Sequence, residues 1–422
     1  MKEDILEVEL GKVFNITYGK GLPTKKLTKE GFPVFGANGV IGFYTEYKYE
    51  EKQVLISCRG AASGKINISP EKCFITNNSL VVESNSELIL KKFLYFILSG
   101  ANRSQIVTGS AQPQVTINNA NTLLIKLAPL PIQRAIVSKI EALFSDLDNG
   151  IANFKKAQAQ LKVYRQAVLK KAFEGELTSV LFNEWEYSTL KESVKFSQGI
   201  QVDVNLQSEN RNKDSVRFLR IIDFTQGNEP ARYIDNPGEK YIVYKNDVSL
   251  VRYGASTGFV CSNLEGAIAN NLFRVIPIKP IEKKYLYYFL CSPLFQNIIS
   301  QSVKGAAMPA ISFGLINDVV LPFPKNISEQ TQIVQEIESR LSVCDKMEQS
   351  LNESIEKAEA LRQSILKKAF EGKLLSEVEI AQCKAAADYE PAGELLKKIK
   401  AEKLAKEQEK KKKPTVKKKS KK

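Results

Sequence analysis

Arg59, Ser63 and Lys65 flank and fill a glycine-rich loop, Gly60-Ala61-Ala62-Ser63-Gly64, and Asn77 and Asn78 follow shortly downstream. The constellation returns as Arg252, Tyr253 and Thr257 around Gly254-Ala255-Ser256-Thr257-Gly258, with Asn270 and Asn271 behind it. Each loop follows a strand-like apolar run and has an arginine ahead of its glycines. These residue types suit contact with nucleic acid. Glycines let backbone amides approach phosphate, arginine matches guanine O6 and N7, and asparagine matches adenine N6 and N7. They equally suit a structural β-turn whose asparagines bond to backbone groups. Lys25, Lys26, Arg211, Lys213, Arg217 and Arg220 are further phosphate candidates, although a solvated surface explains each taken singly.

Catalytic chemistry finds little support. The chain has no histidine, which removes histidine triads, HExxH zinc sites and imidazole acid–base work. Gly60–Lys65 is not a nucleotide phosphate loop, because Arg59 stands where glycine is needed and Ile66 where Ser or Thr is needed. No G-x-G-x-x-G follows a strand, no acidic pair has metal spacing, and no Asn/Asp-Pro-Pro-aromatic run marks an adenine methyltransferase. The sequence therefore predicts no active site, no metal and no cofactor bound by this chain.

What positions the two loops is a repeat. Leu169–Gly175 reads LKKAFEG, and Leu366–Gly372 reads the same. The match extends backwards through Arg165-Gln166 with Arg362-Gln363, Asp148 with Asp345, Ile140-Glu141 with Ile337-Glu338, and Gln133 with Gln330. Each copy follows a proline-marked apolar segment, at Leu127–Pro131 and Val320–Pro324. In the first copy Ile140, Leu147, Phe154, Leu161 and Val168 recur every seventh residue, with Ile136, Leu143, Ala157 and Tyr164 between them. The second copy runs through Ile333, Ile337, Leu341, Cys344, Leu351, Ile355, Ala358, Leu361 and Ile365. Such a pattern predicts a long helix seeking a helical partner. Phe173 and Phe370 close the two copies. Pro131 suits a first turn, Ser328 is the expected N-cap, and Gly175 and Gly372 sit where C′ glycines end helices. Asp148-Asn149-Gly150 is a turn signal, but one interior glycine costs only about 1 kcal/mol, so a continuous helix is expected. Some 44 residues at 1.5 Å each give a rod of roughly 65 Å, and two rods in one chain pair most simply as antiparallel neighbours.

The expected fold is α+β. Two similar, strand-rich mixed domains at 1–130 and 185–326 are separated by long helices at 131–175 and 327–373, a pseudo-twofold tandem duplication with a coiled-coil spacer. A connector occupies 176–184, and 374–422 holds a short helix near 394–405 and a disordered lysine tail from Lys410. In the first domain Val54–Ser57, Cys73–Ile75 and Leu80–Val82 read as strands and Ser86–Ser99 as a surface helix. Gly109 and Pro113 recur as Gly305 and Pro309 ahead of each proline-rich exit.

Net charge is +14, with eleven lysines and three glutamates in residues 401–422. A basic body suits an anionic partner. No apolar run approaches the ~20 residues that span a bilayer, and the acidic N-terminus has no signal-peptide core. Six cysteines without a C-x-x-C arrangement point to reduced thiols and a cytoplasmic setting.

Two divergent domains, each leaving through an exit like Leu130-Pro131-Ile132-Gln133 to Ile136 into a long helix ending Ala172-Phe173-Glu174-Gly175-Glu176-Leu177 or Ala369-Phe370-Glu371-Gly372-Lys373-Leu374, resemble the specificity subunit of type I restriction–modification enzymes. The resemblance covers roughly residues 1–403 and includes Phe35-Gly36-Ala37-Asn38-Gly39-Val40-Ile41-Gly42, of which the second domain has no clear copy. It implies that each domain recognises one half of a bipartite double-stranded DNA site. It also implies that the paired helices set the spacing and dock two methyltransferase subunits, and that restriction subunits join them. S-adenosylmethionine, ATP and magnesium are then implied for the partner subunits, not this chain. Two other readings fit the residues alone: a stand-alone DNA-binding regulator, and a duplicated coiled-coil scaffold that binds proteins.

Overall fold

The computed structural model describes residues 5–83, 87–109, 111–177, 185–303 and 309–412. The chain forms two compact units, one of Met1–Asn153 with Ser354–Lys422 and one of Phe154–Glu353.

In the first unit, Asn15–Tyr18, Ser79–Glu83, Val54–Ser57 and Ile66–Ile68 form a four-stranded antiparallel sheet in that order. A three-stranded sheet pairs Phe32–Phe35 with Val40–Tyr44 on one side and, in parallel, with Phe74–Ile75 on the other. The strand Val54–Ser57 is buried on both faces. Val54 and Ile56 enter the main core with Leu80, Val82 and Phe93, while Leu55 joins Phe35, Ile75 and Val81 in a second cluster. A continuous apolar run is what a two-faced strand requires.

The second unit repeats this plan. Its four-stranded sheet runs Val194–Gln198, Leu272–Pro277, Val248–Val251, Val260–Cys261, and Ser215–Leu219 lies between Arg232–Asp235 and Gly266–Ile268 in a second sheet. The units differ where Gly36–Gly39 makes a tight turn, Gly36 N donating to Gly39 O at 2.8 Å. There the second unit places the helix Ile221–Thr225, which explains why it has no copy of the Phe35–Gly42 segment. The expected strands Val54–Ser57, Cys73–Ile75 and Leu80–Val82 are found within a residue of their limits; the expected surface helix is Lys91–Gly100.

The long helices are continuous, Leu130–Phe173 and Ile327–Phe370, 44 residues each. Gly150 does not break the first. Both end alike: Gly175 and Gly372 take φ of 73° and 71°. Glu176 N reaches Lys171 O at 2.9 Å, and Lys373 N reaches Lys368 O at 2.7 Å, the bond that closes a helix over a left-handed glycine. At the start of the second helix Asn326, not Ser328, is the cap, since its Oδ1 accepts the Ser328 N–H at 2.9 Å. Both entrances share a buried glutamine. Gln133 accepts from Leu90 N and donates to Leu88 O and Ala128 O; Gln330 accepts from Glu282 N and donates to Pro280 O and Pro324 O.

Each helix begins in one unit and ends in the other. Ile132, Ile136 and Ile140 are in the first core, whereas Leu169, Ala172 and Phe173 are in the second. Ile333, Val334 and Ile337 are in the second core, and Ile365, Leu366 and Ala369 in the first. Phe173 packs edge-on to Tyr285 and Phe289 at 5.1 and 5.4 Å. Within the second unit Arg165 pairs with Asp345 at 2.7 Å and Gln158 with Asn352 at 2.6 Å. Within the first, Arg362 pairs with Asp148 and covers the Phe144 ring at 4.4 Å. One helix's numbers rise as the other's fall, so the pairing is antiparallel. Leu147, Phe154, Leu161, Leu351 and Phe370 are half-buried and Val168 buried, but Tyr164 and Leu361, expected in the seam, are exposed. Their positions lie at the seam's edge.

The C-terminal segment contains helices Glu377–Lys384 and Ala392–Lys412. Leu395 and Ile399 enter the first core, and Lys403 Nζ donates to Phe14 O at 2.9 Å. Helix thus passes beyond Lys410, where disorder was expected; residues 413–422, residues 178–184 of the connector, and Gly305 lie outside the described residues.

Candidate nucleic-acid interface

The glycine loops are built alike. In the first unit Gly64 N donates to Ser57 O and Ser57 N to Lys65 O, at 2.8 and 2.9 Å. In the second, Gly258 N donates to Val251 O and Val251 N to Phe259 O, at 3.0 and 2.9 Å. Gly60 and Gly64 have φ of 78° and 80°, and Gly254 and Gly258 of 101° and 89°, so each loop needs glycine at both ends. Ser63 is buried and donates to Pro113 O at 2.7 Å; Thr257 donates to Gly254 O and Pro309 O. Ser63 and Thr257 thus fasten the turn.

The hydrogen bonds also correct the alignment of the arginines. Cys58 N donates to Asn78 O and Val115 N to Cys58 O; in the second unit Arg252 N donates to Asn271 O and Ile311 N to Arg252 O. Arg252 is therefore the counterpart of Cys58, and Tyr253 the counterpart of Arg59. Sequence pairing matched the two arginines by type, but the sheet register shifts them by one residue. Their environments differ accordingly. Arg59 is exposed, and among the described residues its guanidinium has no hydrogen-bond or ion-pair partner. It borders a cleft of about 650 Å³ shared with Gln112 and Gln114. Its charge partly offsets the burial that pushes the Cys58 thiol pKa up. Arg252 is half-buried with its guanidinium over the Phe313 ring at 5.6 Å.

Asn77 and Asn78 form the turn into Ser79–Glu83, and Asn270 and Asn271 the turn into Leu272–Pro277. Asn270 accepts from the Tyr253 hydroxyl at 3.2 Å and donates to Gln201 Oε1 at 3.0 Å. Asn271 Oδ1 is buried with no partner among the described residues. Lys65, Lys25, Lys26, Arg211 and Lys213 are exposed. Arg217 and Arg220 are committed to the fold: both reach Asp223, at 3.3 and 3.1 Å, and Arg220 also reaches Glu229 at 2.9 Å.

A second duplicated device escaped the sequence reading. Gly19 and Gly199 lie so close to a neighbouring turn that a Cβ would meet Thr76 O or Ala269 O at 2.2 Å. Lys20 N then donates to Ile75 O and Ile200 N to Ile268 O, both at 2.9 Å. Short 3-10 turns follow, Thr24–Lys26 and Val204–Leu206. The surrounding residues share only the glycine, too little signal to detect. Among the described residues no three His, Cys, Asp or Glu side chains gather as a metal site, and no helix is long and apolar enough to cross a membrane. The first loop offers the exposed cations Arg59 and Lys65, groups that bind phosphates and base edges, whereas the second loop's Arg252 is taken up by Phe313.

Residues 2–156 and 183–357 match the family model for the type I restriction modification DNA specificity domain. The chain is 25% identical to the EcoBI specificity subunit of Escherichia coli, covering 95% of this chain and 92% of the relative. It is 29% identical to the EcoKI specificity subunit of E. coli K12, over 76% and 73%. A chain from a structure concerned with complex assembly and conformational transition of the type I R-M system superposes with a TM-score of 0.68 at 20% identity, over 89% of this chain and 99% of that one. The HsdS subunit from Thermoanaerobacter tengcongensis gives 0.55 at 21%, over 89% and 98%. These two likenesses speak to the fold.

Proposed function

Because this chain belongs to the type I restriction–modification DNA specificity family, we propose that each unit recognises one half of a bipartite double-stranded DNA site and that the long helices set the unread gap. As a member it is the DNA specificity component of such a system, and specificity subunits are not the catalytic ones. In this reading two methyltransferase subunits dock along the helices and restriction subunits join them. S-adenosylmethionine, ATP and magnesium serve those partners. The Gly60–Lys65 loop of this chain does not fit ATP phosphates, given Arg59 and Ile66 in place of a phosphate loop's glycine and hydroxyl. The target base would be flipped into a partner's pocket, and this chain would only place it there.

One observation carries the reading: the exchange of helix ends. Each unit completes its core with the last turns of a helix that starts in the other, Phe173 in one case and Ala369 in the other. A linker would not need such burial, whereas a ruler needs both ends fixed. The test is methylation-aware sequencing of DNA modified by the chain with its methyltransferase partner. A motif of two short blocks separated by unread bases is expected; a single undivided motif would refute the bipartite reading. Binding that does not weaken with salt would point to the scaffold, because phosphate contacts release counterions. A chain that never co-purifies with a methyltransferase would be a regulator.

A further inference from the structure

Gln201 stands at the end of a side-chain relay that, among the described residues, exists in only one unit. The Tyr253 hydroxyl donates to Asn270 Oδ1 at 3.2 Å, and Asn270 Nδ2 donates to Gln201 Oε1 at 3.0 Å. Asn270 is held from its other side, its carbonyl accepting from Gln198 Nε2 at 3.2 Å. The backbone beneath Gln201 is fixed as well. Gly199 N donates to Leu272 O and Ile200 N to Ile268 O, both at 2.9 Å, and Gly199 has no room for a Cβ. Gln201 itself is exposed, so its bonds compete with water and add little to folding.

We propose that Gln201 is the side chain through which the second unit reads an adenine, with Asn270 and Tyr253 as its positioning residues. The inference rests on the DNA-reading function proposed above. Asn270 occupies one lone pair of Gln201 Oε1. The amide keeps its other lone pair and both Nε2 hydrogens, an acceptor beside a donor. That pair is the complement of adenine in the major groove, where N6–H donates and N7 accepts. A flexible exposed glutamine loses rotamer freedom when it engages a base. Here the relay favours one orientation of the amide before it meets a base, the preorganisation that a reading group requires.

The first unit provides the contrast. By the same backbone bonds, Gly21 replaces Gln201, Asn77 replaces Asn270 and Arg59 replaces Tyr253. It has no amide at this place and carries instead a guanidinium without a partner among the described residues, so the two half-sites are read by different chemistry. Disturbing the relay must then alter one half-site and spare the other.

The experiment uses the full chain assembled with its methyltransferase partners, methylation-aware sequencing, and binding to an oligonucleotide pool randomised over the wild-type motif. Gln201→Ala should reduce discrimination at one adenine of one half-site by roughly tenfold to a hundredfold, the other half unchanged. Gln201→Glu keeps the acceptor and loses the donor, so the same position should shift towards cytosine, whose N4 amine donates. Asn270→Ala and Tyr253→Phe should relax that position to a smaller degree. A uniform loss of affinity, relaxation in both half-sites, or an unchanged motif with Gln201→Ala would overturn the proposal. An undivided wild-type motif would instead overturn the bipartite reading, so the two failures are distinguishable.

Discussion

Arg165 and Asp345 meet at 2.7 Å within the second unit, and their counterparts in the repeat, Arg362 and Asp148, meet within the first. The same clasp is made twice with the roles of the two helices exchanged, as a tandem duplication folded antiparallel requires. Arg165 also reaches Glu348 at 3.0 Å, whereas Arg362 lies over the Phe144 ring. A double-mutant cycle of Arg165→Ala and Asp345→Ala should give a coupling of about 0.2–1 kcal/mol, because Asp345 is largely exposed. Urea denaturation measures it, and a coupling of zero would mean that this clasp does not help to align the helices.

The helix ends matter far more than the clasps. Phe173 is 2% exposed among Tyr285, Phe289 and Leu286, and truncating a buried phenylalanine costs about 3–5 kcal/mol. Phe173→Ala should therefore lower the unfolding free energy of the second unit by that amount, read as an earlier midpoint in urea. Phe370 is only half-buried against the first core, so Phe370→Ala should cost less. Equal losses from the two variants would contradict the burial difference.

The helices and their duplication were legible in the sequence because both signals are local: a seven-residue apolar period and an identical LKKAFEG. The strands around the glycine loops were legible for the same reason. Arg59 and Arg252 match by type, but Arg59 directly precedes Gly60 while Arg252 stands two residues before Gly254, so the spacing to the glycines already carries the offset. The register that pairs Arg59 with Tyr253 is set by Asn78 O and Asn271 O, groups every residue carries. Gln201 was invisible in the sequence. Its meaning comes from Asn270 and Tyr253, brought to it by a sheet crossing that no local pattern encodes.

That shift in register changes what the arginines should do. Arg59→Ala should weaken recognition of one half-site: by about 1–3 kcal/mol with one relaxed base if it reads an edge, or evenly with a flatter salt dependence if it holds phosphate. Arg252→Ala should act on stability, through the lost contact with Phe313, and leave the salt slope of binding unaltered. Affinity measured across a salt series, beside thermal melting, separates the cases; a normal melt with a reduced salt slope for Arg252→Ala would put Arg252 on DNA.

The C-terminal segment should loosen in acid. Lys139 Nζ bonds to Glu379 at 2.7 Å, and with the Ser376 N–H and hydroxyl it holds the Glu379 pKa down to about 2. A depressed carboxylate stabilises the fold above its unfolded pKa, and that contribution fades as pH falls through the folded value. Hydrogen exchange in Glu377–Lys384, taken relative to the intrinsic amide rate at each pH, should therefore speed up between about pH 4.5 and 2. In Glu379→Gln it should already be fast at neutral pH and lack this acid step. An acid step of the same size in both proteins would show that Glu379 is not the group responsible.

The ruler idea is tested by where length is added. Because Phe173 is anchored in the second core and Gly175 ends its helix, four residues inserted after Gly175 lengthen only the connector. The gap in the recognised motif should then stay the same. Four residues inserted after Lys156 and four after Glu353 are a different matter. These are matching points of the antiparallel register that pairs Asp148 with Arg362 and Gln158 with Asn352, so each unit keeps its own clasps. Both helices grow by about 6 Å, close to the rise of two base pairs at about 3.4 Å each. Two base pairs also turn the duplex by roughly 70°, while four residues advance a helix by about 40° beyond a full turn. The remainder must be taken up as twist in the DNA or the helices, so modification should be slower but still measurable. The motif read by methylation-aware sequencing should keep its bases and gain one or two unread positions. A lengthened pair of helices that leaves the gap unchanged would mean that something other than the helices sets it.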